Sequence, residues 1–134
     1  TFTGNTAAQG GALYVEDAAA SWSACTLRIN PAVDVSFVGN TAAFAGGAIV
    51  LSGTSVGPAF TDVSLVSNSA EIGGAVSVFG SGTEEPGDFP TTFDRCRFID
   101  NRATATGGAI NSAAGKDAIF SSVFEGNSAG TGGL

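Results

Sequence analysis

The stretch FVGNTAAFAGGAIVL, Phe37 to Leu51, decides the fold, because its pattern returns four more times along the chain. An apolar residue, two variable residues, Asn, one variable residue and Ala are followed shortly by Gly-Gly and a small or aliphatic residue. The other copies read FTGNTAAQGGA from Phe2, LVSNSAEIGGA from Leu65, FIDNRATATGGA from Phe98 and FEGNSAGTGGL from Phe124. Their asparagines, Asn5, Asn40, Asn68, Asn101 and Asn127, recur after 35, 28, 33 and 26 residues. Self-similarity at such a period marks a solenoid, in which each repeat is one unit that buries its apolar face only by stacking on its neighbours.

The residues around each motif alternate as strands do. Ahead of the asparagines, Val33, Val35 and Phe37, then Val63 and Leu65, then Cys96 and Phe98, then Phe120, Ser122 and Phe124 share one parity. Asp34, Ser36, Asp62, Ser64, Arg95 and Arg97 hold the other, so the first set is expected to face a core. After each Gly-Gly, Leu13 and Val15, Ile49 and Leu51, Val76 and Val78, and Ile110 and Ser112 repeat the alternation. Helical spacing is absent, which excludes an α-solenoid.

A coil of this kind needs a device at its turns. Asparagine adopts the left-handed conformation more readily than most residues, and its amide can donate to one coil and accept from another. The five repeat asparagines are therefore expected to form an internal ladder, each in a left-handed turn. The Ala two places on (Ala7, Ala42, Ala70, Ala103, Ala129) leaves room for the chain to turn inward. Gly-Gly supplies backbone angles or close approach that a Cβ would block.

Composition narrows the function. Twelve acidic residues against five basic ones give a net charge of −7 and a pI near 4.1, so nucleic acid and anionic membrane surfaces are excluded as partners. Charged residues are only 13% of the chain, and Gly alone contributes 20 residues, unlike a disordered acidic tail. There is no His, and Cys25 and Cys96 are far apart, so no metal or other cofactor is expected. Two coils at ~4.8 Å each separate the cysteines by ~10 Å, too far for a disulfide, and both are read as buried free thiols.

The paired GGA(I/L/V) and FxxN elements resemble the repeats of the chlamydial polymorphic outer-membrane proteins. All five copies carry the resemblance, with Leu65 replacing Phe in the third and Leu134 replacing Ala in the last. That family is similar to autotransporter passengers, which implies surface display, a right-handed parallel β-helix and an adhesive role. The expected fold is thus all-β, a right-handed parallel β-helix of about four coils with an internal Asn ladder, open at both ends. Residues 1–134 are read as one segment of a longer repeat protein, and its coil edges as surfaces that stack on other copies or on the continuing chain.

The repeat spacing also locates candidate sites. The interval from Asn to the first Gly is always five or six residues, whereas the interval from the second Gly to the next Asn alternates between long and short. Insertions therefore enter on one side of the rod, the usual place for recognition in a solenoid. The first carries Trp22; the third carries Glu84, Glu85, Asp88 and Phe89. These five are the candidates for binding a glycan or a host or cell-surface protein, the aromatics as a platform and the acids as polar contacts. The bland alternative has Trp22 and Phe89 capping the core beneath their own loops. A Ca²⁺ site at the acids lacks any spaced ligand loop. For catalysis the candidates are Asp34 and Asp62, both six residues before an Asn and stacked ~5 Å apart, the carboxyl spacing of retaining glycosidases. Arg95 continues that column, which favours a self-neutralised surface ladder instead. The sequence thus points to a non-enzymatic extracellular stalk, adhesin or filament-building segment, with a polysaccharide lyase, hydrolase or epimerase, or a carbohydrate-binding module, as its rivals.

Overall fold

The computed structural model describes residues 1–16, 35–52, 58–79, 91–113 and 117–131 of the 134. The described residues contain strands and turns and no helix. In chain order the first coil contributes β1 (Phe2–Thr3), β2 (Thr6–Gln9) and β3 (Leu13–Glu16). The second gives β4 (Val35–Val38), β5 (Thr41–Ala45), β6 (Ile49–Ser52) and β7 (Ala59–Thr61). The third gives β8 (Val63–Val66), β9 (Ser69–Ile72), β10 (Val76–Phe79) and β11 (Thr91–Asp94). The fourth gives β12 (Arg97–Ile99), β13 (Arg102–Thr106), β14 (Ile110–Ser112) and β15 (Asp117–Phe120), and β16 (Val123–Glu125) opens a fifth.

Each strand pairs in parallel with its equivalent one coil away. The first sheet is β1-β4-β8-β12-β16, the second β2-β5-β9-β13, the third β3-β6-β10-β14 and the fourth β7-β11-β15. Parallel neighbours joined by a whole turn of chain, repeated on four sides, make a parallel β-helix. Register is set by the inward residues. Phe2, Phe37, Leu65, Phe98 and Phe124 form one column, and Leu13, Ile49, Val76 and Ile110 another. A one-residue slip would expose both columns, so the apolar pattern enforces the pairing. Phe37, Leu65, Phe98, Ile49, Leu51 and Val76 are buried to 1% exposure or less. Like stacks on like: Phe2 on Phe37 at 4.8 Å and Phe98 on Phe124 at 4.6 Å between ring centroids, nearly parallel.

Three corners of the coil use one device among the described residues, a single residue with positive φ whose N–H, wherever a counterpart one coil on is described, donates to the carbonyl just before that counterpart. Between the fourth and first sheets these residues are Asp62, Arg95 and Ser121. Between the first and second they are Gly4, Gly39, Ser67, Asp100 and Gly126, and between the second and third Gly10, Gly46, Gly73 and Gly107. The donated bonds include Asp62 to Asp94 at 3.1 Å, Gly39 to Val66 at 2.9 Å and Gly46 to Ile72 at 2.9 Å. The left-handed residue at the ladder corner is thus the one before each asparagine, which corrects the expectation that Asn itself occupies that conformation. With the turn made one residue earlier, the asparagine side chain is free to point inward.

The corners differ in how much space surrounds them. A Cβ at Gly39 would meet nothing within 4 Å, and the same column accepts Ser67 and Asp100. A Cβ at Gly46 would lie 2.1 Å from the carbonyl oxygen of Ile49, so the second-to-third corner takes only glycine. The second glycine of each pair serves the stacking itself, since a Cβ at Gly47 would lie 2.0 Å from the Gly74 oxygen of the next coil.

The fourth sheet is the element the alternation did not reveal. Its inward column is Phe60, Phe93 and Ile119, with Phe60 and Phe93 wholly buried and stacked at 5.2 Å. Phe93 also meets Phe98 edge-on at 5.5 Å, joining the fourth sheet's column to the first sheet's. Phe120, expected to face inward with Ser122 and Phe124, instead follows Ile119 in register with the outward Asp94 and is 55% exposed. The left-handed Ser121 (φ 47°) interrupts the period of two, so parity counted through it fails. Ser112 keeps its register with buried Val78 but is itself exposed.

The second-to-third corner also buries two positions outside the core cluster. Val50 and Ser77 lie between inward residues of β6 and β10, yet both are wholly buried. Ser77 Oγ donates to the Ile72 carbonyl at 2.9 Å, and the Val50 Cγ2 methyl sits over Gly46. The middle strands of the third sheet are therefore packed on both faces.

Candidate functional site

The five repeat asparagines form a continuous ladder. The Nδ2 of Asn5 donates to Asn40 Oδ1 at 2.9 Å, Asn40 to Asn68 and Asn68 to Asn101 at 3.0 Å, and Asn101 to Asn127 at 2.9 Å. Each of those oxygens also accepts the backbone N–H of the preceding coil's asparagine at 3.0 Å. The second amide hydrogen turns the other way, to the carbonyls of Phe2, Phe37, Leu65 and Phe98. Asn40, Asn68 and Asn101 are completely buried, and their amides replace backbone pairing at a corner where the sheets stop. The buried rungs Asn40, Asn68 and Asn101 have no open valence for a ligand, and their chemistry is structural.

Asp62 stands on the surface at the fourth-to-first corner. Arg95, one coil on, grips its carboxylate with Nε and Nη2, each at 2.9 Å, and reaches Asp94 at 2.6 Å. The hydrogen bonds from Arg95 hold the Asp62 carboxyl below its ordinary range and, reciprocally, raise the Arg95 guanidinium. A pair of catalytic carboxyls needs one member that can carry a proton at working pH. Asp62 is held ionised, which bars it from the acid's role, and both its oxygens are occupied by a fork of donors, which leaves neither free to attack. Asp34 lies outside the described residues, as do Trp22, Glu84, Glu85, Asp88, Phe89 and Cys25.

Cys96 is a free, wholly buried thiol in the inward column above Val63. Its Sγ donates to the carbonyls of Phe60 at 3.5 Å and Asp94 at 3.6 Å. Burial pushes the thiol pKa up, which makes it a packing group and a poor nucleophile. Among the described residues no group of three or more Cys, Asp or Glu side chains is arranged to hold a metal ion.

The topology places the variable part of the repeat. Segments 53–57, 80–90 and 114–116 each join a strand of the third sheet to one of the fourth: β6 to β7, β10 to β11 and β14 to β15. Segment 17–34 likewise leaves the third sheet, from β3. All four connections therefore start from one stacked edge of the coil. The Trp22 and Glu84–Phe89 candidates belong to connections leaving β3 and β10, two coils apart, or ~10 Å along the stack.

These features define a class, the parallel β-helices built from short repeats with an internal asparagine ladder. Within it, residues 1–16, 34–52 and 95–113 match the model of the Chlamydia polymorphic membrane protein repeat. Each matched segment spans the arc that runs through the first three sheets, from the strand before the asparagine to the strand after Gly-Gly. The third coil folds along the same arc although Leu65 stands where the matched copies have Phe. Comparison with curated proteins and with solved structures gives no match to either.

Proposed function

We propose that this chain is a non-enzymatic segment of a surface-displayed passenger, a β-helical stalk that presents the connections leaving its third sheet to a glycan or a cell-surface protein. The observation that carries the reading is the confinement of length variation to one edge. The arc through three sheets is held constant by the Asn ladder and the paired glycines, while the connections differ from coil to coil. A scaffold that fixes every other corner and frees one separates stability from recognition. The repeat type supports an outer-membrane or surface location. The engagement of Asp62 by Arg95 argues against the polysaccharide-active alternative.

The test uses the full-length parent protein displayed on a cell, with residues 80–90 replaced by a three-residue connection like 114–116. Adhesion to host cells should fall at least about tenfold, a loss of about 1.4 kcal/mol or more, while the thermal unfolding midpoint holds. Unchanged adhesion with an intact fold would remove the acidic connection from the proposal. Turnover of a polysaccharide that is abolished by Asp62→Asn would overturn the non-enzymatic reading. Electron microscopy of the parent at its source separates display from assembly, since rods projecting from an envelope support a stalk and continuous end-to-end rods a filament.

A further inference from the structure

We draw no further inference here: the strongest candidate, the outward aliphatic column of Val38, Val66 and Ile99 on the first sheet, is an apolar face for which nothing in the structure shows what covers it.

Discussion

Asn68 shows how much one side chain does in this architecture. Its oxygen accepts the N–H and the amide of Asn40, and its own amide reaches Asn101 Oδ1 and the Phe37 carbonyl, all of them buried. Asn68→Ala would take the buried partner from the Asn40 N–H, the Asn40 amide and the Phe37 carbonyl on the preceding coil, while Asn101 Oδ1 keeps the backbone N–H of residue 68, a cost of about 1–3 kcal/mol in chemical denaturation. An unchanged midpoint would mean that water replaces the ladder. Glycines divide by what surrounds them. At Gly39 only the φ of +62° opposes a side chain, so Gly39→Ala should cost about 1 kcal/mol. At Gly47 the backbone of the next coil fills the space, and Gly47→Ala should cost at least about 3 kcal/mol or prevent folding. Equal costs at the two sites would contradict the distinction. Asp62 adds a pH effect. Its folded pKa lies below the ordinary 3.8, so its contribution is present above that value and is lost as pH falls through the lower, folded one. Asp62→Asn should therefore lose less stability than the wild type between about pH 5 and pH 2, by an amount kept small through solvent exposure. Parallel pH profiles would show the ion pair to be thermodynamically silent.

At the scale of elements, the strands are short and stable only as stacks. Phe98 lies in the middle of such a stack, on Phe124, edge-on to Phe93 and in register with Leu65. Phe98→Ala should cost about 3–5 kcal/mol. Phe120, whose ring points outward from β15, is the internal control: Phe120→Ser should change stability by no more than about 0.5 kcal/mol. Reversed magnitudes would mean that the fourth sheet is turned over. Alignment on the asparagines does contain a signal for that sheet, because Phe60, Phe93 and Ile119 each stand eight residues before one. Counting alternate residues missed it, since a left-handed corner at Asp62, Arg95 or Ser121 resets the parity between two strands that are adjacent in sequence.

For the whole molecule, stability is a sum over neighbouring coils, and the recognition proposed for it would be a matter of what leaves one edge. Coils of 26 to 35 residues stack without disturbing the first, second and third sheets because the difference in length is taken up between the third sheet and the next ladder corner. The spare residue in β5 and in β13, which accounts for the six-residue Asn-to-Gly interval of those coils, is absorbed as a bulge in the second sheet. If the chain adheres as proposed, adhesion should therefore be separable from folding by changes to a connection, as the replacement of residues 80–90 requires.

The sequence by itself determined the parallel β-helix, the ladder asparagines, the inward columns of the first and third sheets and the side of the coil that varies. Each of these repeats with a fixed spacing from Asn or Gly-Gly, and a repeated spacing is visible without knowing where the chain goes. Only the tertiary structure decided which residue of a turn is left-handed, which glycine is needed for its φ and which for closeness to the next coil, and that Arg95 reaches across a coil to grip Asp62. The close approach at Gly47 and the Arg95 grip are contacts between neighbouring coils, whose partners are set by the stacking rather than by local pattern, and the turn conformations depend on where each corner falls in the coil.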